Sequence, residues 1–185
     1  MRRTLVFGGA RSGKSAYAEN LAAGSSQNVV YVATAQAGDA EMMARIASHR
    51  QQRSHCGWRT VEEPLALGEA IACWSRPETM LLVDCLTVWL SNLLFAENRD
   101  FPEVGEIGPP AIFLEQREAF LRALEQAKGD VVLVSNEVGM GIVPQGAVSR
   151  WFVDEAGRLN QAVAARCEQV VWVAAGLPLV LKGER

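Results

Sequence analysis

Apolar, β-branched runs alternate with longer segments of helical periodicity along this chain of 185 residues. At least four of the runs are apolar at consecutive positions, which is typical of parallel strands buried on both faces. The predicted strands are Thr4–Phe7, Val29–Ala33, Met80–Asp84, Val131–Ser135, Val170–Ala174 and Leu179–Leu181. The predicted helices are Ser15–Ala23, Ala40–Gln52, Leu65–Trp74, Val88–Ala96, Ile112–Lys128 and Arg150–Cys167. This alternation predicts a three-layer α/β sandwich with a mostly parallel central sheet, and the closeness of the last two strands predicts a short C-terminal hairpin.

The first predicted strand leads into a phosphate-binding loop. Residues 8–15 read GGARSGKS, which matches GxxxxGK[ST] between a strand and a helix. Such a loop lets consecutive N–H groups face an anion, and the start of the helix adds the positive end of its dipole. The alternative, a glycine-rich turn with a chance lysine, is disfavoured because motif and context agree. The predicted nucleotide-binding residues here are Gly8, Gly9, Ala10, Arg11, Ser12, Gly13, Lys14 and Ser15, with Lys14 on the β- and γ-phosphates and Ser15 on Mg²⁺.

Ligands of open α/β sheets bind beyond the C-terminal ends of the strands, so the residues just after each strand are candidates. Asp84 ends an apolar strand and is predicted to hold Mg²⁺, directly or through water; a helix cap is the alternative. Thr34, between the small residues Ala33 and Ala35, can donate to a phosphate or ribose, although a plain strand-to-helix loop explains it equally well. The segment 136–139, NEVG, lacks the Asn-Lys-x-Asp pattern of switch GTPases and argues against that class.

His49 lies at the edge of an apolar stripe on the predicted second helix, close to several arginines. Positive charge nearby lowers the pKa of an imidazole and keeps it neutral, and therefore nucleophilic. The same arginines would hold a triphosphate against it. From spacing alone, a half-buried structural histidine explains this position better than a nucleophile does.

Composition narrows the class of protein further. The net charge is −3 without a block of Lys and Arg, which argues against nucleic acid as the main partner. No apolar run approaches the roughly 20 residues of a membrane span, and no signal peptide is visible. The four cysteines are widely spaced, which favours free thiols in a reducing cytosol, and a single domain over residues 1–185 is expected. Residues 97–110 predict a mobile surface loop that serves as a lid or a subunit contact.

Several longer strings carry a resemblance to a known family. They are GGARSGKS at 8–15, YVATAQ at 31–36, DAEMMARIASHR at 39–50, WRTVEEP at 58–64, VDCLTVWLSNLL at 83–94, SNEVGMGIVP at 135–144 and RWFVDEAGRLNQ at 150–161. Nearly end to end, the chain resembles the bifunctional adenosylcobinamide kinase/adenosylcobinamide-phosphate guanylyltransferase family of cobalamin biosynthesis. The phosphate loop is generic, but the RIxxHR, DCLTxWLSNLL and NEVGxGIVP strings together are specific.

The resemblance implies two reactions with Mg²⁺ and GTP or ATP. The kinase moves a γ-phosphoryl group to adenosylcobinamide, and the transferase passes GMP from GTP, through a guanylylated histidine, to adenosylcobinamide phosphate. The family's nucleophile falls on His49, which reverses the preference for a structural histidine. Contacts to the nucleotide are then expected from Arg50, Gln51, Gln52 and Arg53, and Glu62 is placed to accept hydrogen bonds from a guanine edge. The resemblance also implies a homotrimer with the corrinoid near subunit boundaries.

The two reactions expose different phosphorus atoms, so either the His49 helix moves or the nucleotide binds in two poses. Two other functions stay open at this point. A small-molecule kinase without guanylylation would leave His49 structural, and a nucleotide-binding regulator would bind GTP without turnover of a corrinoid. The phosphate loop, Asp84 and the cluster of histidine and arginines together disfavour the regulator.

Overall fold

A computed structural model describes residues 1–36, 57–97 and 99–184. Within these ranges the strands are β1 (Arg3–Gly8), β2 (Asn28–Ala33), β3 (Arg59–Glu62), β4 (Thr79–Asp84), β5 (Asp130–Asn136), β6 (Gln169–Ala174) and β7 (Leu177–Lys182). The helices are α1 (Lys14–Ala23), α2 (Leu67–Trp74), α3 (Leu86–Phe95), α4 (Ala111–Glu125) and α5 (Ala147–Arg166).

The strands form one sheet in the order β3-β2-β4-β5-β1-β6-β7. All pairings are parallel except that of β6 with β7, which is antiparallel. Central strands such as β5 are apolar at consecutive positions because both faces of the sheet are covered. One apolar core lies on the side of α1, and a larger one lies on the opposite face, where α2 to α5 pack. The predicted three-layer α/β sandwich with a mostly parallel sheet is confirmed.

The six predicted strands are all present; five are longer than predicted by one or two residues, and the last, Leu179–Leu181, is longer by three. Strand β3 was not predicted, because it is short and three of its four residues are exposed at the edge of the sheet. The predicted helix Ala40–Gln52 lies outside the described residues. Helix α2 begins at Leu67 instead of Leu65 because the Glu63 carboxylate accepts the N–H groups of Leu65 and Ala66 in the preceding turn.

The predicted C-terminal hairpin is confirmed, with a two-residue turn between β6 and β7. Ala175 and Gly176 both have positive φ, 51° and 78°, as a type I′ turn requires. The turn packs against the phosphate loop, because the Gly176 N–H donates to the Ser12 carbonyl oxygen over 2.8 Å. The far end of the chain therefore supports the loop that follows the first strand.

Candidate nucleotide site

The predicted phosphate loop connects β1 to α1 at the C-terminal edge of the sheet. Gly13 occupies the N-cap position of α1 with φ 94°, and no side chain caps this helix. The first amides of α1 are thus left to another acceptor, which is the arrangement that suits an anion. The Ser12 hydroxyl is buried and has no hydrogen-bond partner among the described residues. A bound phosphate oxygen would satisfy both the amides and this hydroxyl.

Lys14 folds back over the loop that it belongs to. Its Nζ donates to the Gly9 carbonyl oxygen over 3.1 Å, and the residue is only 9% exposed. The lysine charge is therefore held over the loop without being fully hydrated. Ala10 and Arg11 are exposed on the outside of the loop, and Arg11 has a positive φ of 56°.

Two glycines let the loop lie close to the neighbouring hairpin. A Cβ on Gly8 would stand 2.2 Å from the Val173 carbonyl oxygen and 2.8 Å from the Ser12 hydroxyl. A Cβ on Gly13 would stand 3.0 Å from the Gly176 Cα atom. These contacts with β6 and its turn fix the path of the loop, and the motif alone did not reveal them.

Asp84 ends β4, and the sheet register aligns it with two other predicted residues. Asp84 pairs with Ala33, and Ala33 pairs with Glu62. Since partners in register share a face, Glu62, Ala33 and Asp84 form a row along the edge that carries the phosphate loop. Glu62 is exposed at the outer end of this row. With strands about 4.8 Å apart, it lies about 19 Å from β1.

Thr34 is fully buried, and its hydroxyl is bonded to protein on both sides. Its Oγ1 donates to the Cys85 carbonyl oxygen over 2.8 Å and accepts the Cys85 N–H over 2.9 Å. Its own carbonyl oxygen accepts a bond of 2.7 Å from Asn92 Nδ2. The side chain thus joins the ends of β2 and β4 beside Asp84. These contacts agree with the alternative stated for Thr34, a plain strand-to-helix loop. Ala35, which follows, is half-buried.

The charges of Lys14 and Asp84 both act on the thiol of Cys85, the residue that follows Asp84. Burial, with a smaller effect of the Asp84 carboxylate, raises the pKa of the Cys85 thiol to about 11, while the Lys14 ammonium acts to lower it. Cys85 is therefore buried and lies within electrostatic reach of both charged groups.

Mg²⁺ fits the oxygen donors found here. Ser15 supplies a half-buried hydroxyl in the first turn of α1, and Asp84 supplies a half-buried carboxylate. Within the described ranges, no group of three or more His, Cys, Asp or Glu side chains is arranged as a metal cage. A site with few protein ligands suits Mg²⁺, which keeps several waters and binds together with substrate phosphates.

The remaining predicted residues fall in the stretch between β2 and β3 that the structure does not describe. They are His49, Arg50, Gln51, Gln52 and Arg53. No geometry is assigned to them. Among the described helices, none is long and apolar enough to cross a lipid bilayer.

Comparison with solved structures finds a similar fold in another protein. An ATP synthase subunit, NeqB, from Nanoarcheaum equitans aligns with a TM-score of 0.56 at 10% identity, over 94% of this chain and 46% of that chain. Together with the phosphate loop, this defines the class as a P-loop NTPase fold.

Sequence comparison narrows the class to one family. Residues 4–181 match the family model described as cobinamide kinase/cobinamide phosphate guanyltransferase. The bifunctional adenosylcobalamin biosynthesis protein CobP of Pseudomonas aeruginosa is 52% identical over 98% of this chain and 98% of its own length. The corresponding protein CobU of Escherichia coli is 43% identical over 96% of this chain and 98% of its own length. The chain therefore belongs to the cobinamide kinase/cobinamide phosphate guanyltransferase family.

Proposed function

We propose that this chain catalyses two steps of cobalamin biosynthesis: phosphorylation of adenosylcobinamide with ATP or GTP, and transfer of GMP from GTP to adenosylcobinamide phosphate. The observation that carries the proposal is the phosphate loop, with Lys14 folded over it and a buried Ser12 hydroxyl facing no protein acceptor among the described residues. Membership in the family supplies the substrates.

In the kinase reaction, the hydroxyl oxygen of the aminopropanol group attacks the γ-phosphorus, and the bond to the β,γ-bridging oxygen breaks. ADP or GDP leaves, and the hydroxyl proton is lost to water. Lys14 and the amides at the start of α1 stabilise the charge on the phosphates, because they are fixed before the reaction begins. Ser15 and Asp84 would hold Mg²⁺, which neutralises phosphate charge when it is bound.

In the transferase reaction, an imidazole nitrogen of His49 attacks the α-phosphorus of GTP, and the bond to the α,β-bridging oxygen breaks to release pyrophosphate. A phosphate oxygen of adenosylcobinamide phosphate then attacks the same phosphorus and frees the histidine, which gives adenosylcobinamide-GDP. The covalent intermediate divides one difficult transfer into two easier ones. Arg50, Gln51, Gln52 and Arg53 follow the nucleophile directly and would contact the same nucleotide.

Labelling distinguishes this function from that of a simple kinase. The chain is incubated with Mg²⁺ and GTP labelled in the α- or the γ-phosphate, as wild type, His49→Ala and His55→Ala. An acid-labile, base-stable label from the α-position only, lost in His49→Ala and kept in His55→Ala, supports the guanylyl-histidine. Absence of α-label with intact γ-transfer to adenosylcobinamide would leave a kinase alone.

Guanine recognition is assigned to Glu62, because its carboxylate can accept the two N–H donors of the guanine edge. Its place in register with Ala33 and Asp84 supports this, since a nucleotide lying along the strand ends would have its phosphates at β1 and its base at β3. Glu62→Gln should lower the affinity for GTP about tenfold and the affinity for ATP much less, since a carboxylate accepts stronger hydrogen bonds than an amide. Glu63→Gln is the matched control, because Glu63 accepts main-chain N–H groups before α2 and should affect stability without changing the preference between the nucleotides. Equal losses for GTP and ATP in Glu62→Gln would contradict the assignment.

The oligomeric state and the compartment complete the proposal. Exposed apolar side chains at Met140, Ile142 and Val143 in the β5–α5 loop support the homotrimer. Sedimentation velocity at micromolar concentration should give one species with three times the chain mass.

Cys73, Cys85 and Cys167 are free thiols, which supports a cytoplasmic setting.

A further inference from the structure

Asn136 is the last residue of β5, the strand that lies between the phosphate-loop strand and the strand that ends at Asp84. It pairs in register with Gly8, the first residue of the loop. On the other side of β5, Val134 pairs with Asp84. Asn136 therefore stands at the edge of the sheet between the two groups expected to bind phosphate and Mg²⁺.

The alternation along the strand shows which face its side chain takes. Val132 and Val134 pack in the core on the side of α1. Asn136, two residues further, points to the same face. By the same count from Leu82, which also lies in that core, Asp84 shares this face. The Asn136 carboxamide thus belongs to the side of the sheet that carries α1 and its phosphate loop.

A buried polar network on the opposite face fixes the main chain of Asn136. Its N–H donates to Thr87 Oγ1 over 2.7 Å, and its carbonyl oxygen accepts a bond of 3.3 Å from Asn160 Nδ2. Asn160 in turn accepts a bond of 2.6 Å from the Ser135 hydroxyl. All three supporting side chains are buried. Because a buried polar group without a hydrogen bond destabilises the protein, these side chains keep their hydrogen bonds. The network therefore holds the end of β5 in one place.

Asn136 is half-buried, and its carboxamide makes no hydrogen bond within the residues that the structure describes. We propose that Asn136 donates a hydrogen bond from its Nδ2 to an oxygen of the γ-phosphoryl group in the kinase reaction. A neutral amide with two N–H donors suits an oxygen that gains charge as the group moves from the bridging oxygen to the substrate hydroxyl. The inference rests on the proposed kinase function, since it assigns a further contact within that site.

Substitution of Asn136 leaves its supporting network intact, because Thr87 and Asn160 bind only its main-chain atoms. Asn136→Ala removes the donor, and Asn136→Asp keeps the shape while placing a negative charge beside the phosphate. We expect a fall in kcat of about a hundredfold for Asn136→Ala and a larger fall for Asn136→Asp, with KM for adenosylcobinamide within threefold. The melting temperatures should stay close to that of the wild type.

A binding measurement tests the contact without any corrinoid. The affinities for ADP and for the non-hydrolysable ATP analogue AMP-PNP are measured by calorimetry for the same variants. Asn136→Ala should bind ADP within twofold of wild type and AMP-PNP about tenfold more weakly, since only the analogue carries the γ-phosphoryl group. Unchanged affinity for AMP-PNP together with kcat within threefold of wild type would overturn the inference. A wild-type chain that lacks kinase activity would instead contradict the proposed function, and the binding comparison would still decide the role of Asn136.

Discussion

Thr34 and Cys85 are joined by two hydrogen bonds through a single hydroxyl group. Thr34 Oγ1 donates to the Cys85 carbonyl oxygen at 2.8 Å and accepts the Cys85 N–H at 2.9 Å. The residues are 51 positions apart in sequence, so the pair ties the loop after β2 to the loop after β4. Because Cys85 follows Asp84 directly, this hydroxyl also sets the position of the carboxylate.

Thr34→Val should therefore destabilise the protein by about 1–3 kcal/mol, since it leaves the buried N–H of Cys85 without its partner, whereas the Cys85 carbonyl oxygen still accepts the Trp89 N–H. Thr34→Ser is the matched control, because it keeps both bonds and loses one methyl group, at a cost of about 1 kcal/mol. Urea denaturation followed by circular dichroism measures both. A valine variant as stable as the serine variant would show that the two bonds contribute little.

Gly8 and Gly9 are adjacent in the phosphate loop but have different surroundings. A Cβ on Gly8 would meet the Val173 main chain at 2.2 Å, whereas a Cβ on Gly9 would have no atom within 4 Å. We expect Gly8→Ala to cost about 3 kcal/mol and to abolish nucleotide binding, because main-chain atoms of β6 would have to move. Gly9→Ala should stay within about 0.5 kcal/mol of wild type. Thermal denaturation with and without nucleotide gives both readouts, and equal behaviour of the two variants would contradict the close packing of β6 on the loop.

The cysteines should differ sharply in reactivity. Burial raises the pKa of the Cys85 thiol to about 11 and that of the Cys167 thiol to about 12, whereas Cys73 is exposed. Since the thiolate is the nucleophile, Cys85 and Cys167 should resist iodoacetamide at pH 8 while Cys73 is alkylated. Peptide mass spectrometry measures the extent at each site, with the urea-unfolded chain as the control in which all of them react. Rapid alkylation of Cys85 in the native protein would show that the loop after β4 opens to solvent.

Acid should weaken the contact between Arg3, at the start of β1, and Glu168, which precedes β6. The Arg3 N–H donates to the Glu168 carboxylate over 2.6 Å, and hydrogen bonds from Arg3 lower the pKa of Glu168 from 4.5 to about 2. A pKa that is lower in the folded chain gives stability that is present above about pH 5 and lost as the pH falls towards 2. Because Glu168 is 44% exposed, solvent screening reduces this contribution to about 1 kcal/mol. Glu168→Gln should lower stability at pH 7 and flatten its pH dependence between 5 and 2; an unchanged slope would assign the acid sensitivity to other carboxylates.

The sequence predicted the features that depend on local pattern. Apolar β-branched runs predicted the central strands, because strands covered on both faces are apolar at consecutive positions. The loop at 8–15 was recognisable because its glycines and its lysine have fixed spacing. Strand β3 could not be predicted from the sequence because Arg59–Glu62 is mostly exposed at a sheet edge. Neither an apolar run nor an alternation of apolar and polar residues marks it.

The rest of the candidate site depends on contacts between residues that are distant in sequence. The spacing of residues reveals neither the two hydrogen bonds between Thr34 and Cys85 nor the network that joins Thr87, Ser135 and Asn160. The only local signal for Asn136 was its place just after an apolar strand, which many structural residues share. Its neighbours became known only once the strand order placed β5 between β1 and β4.

The position of β1 also has a consequence for the timing of synthesis. Glu168 is translated 165 residues after its partner Arg3, and Gly176, whose N–H donates to the Ser12 carbonyl oxygen, is translated later still. At about 5–20 residues per second, a ribosome takes about 10 to 30 s to cover that distance. The nascent chain therefore carries its phosphate-loop sequence well before it gains the hairpin that supports this loop. We therefore expect bound nucleotide to stabilise the nascent chain once the hairpin has emerged from the ribosome.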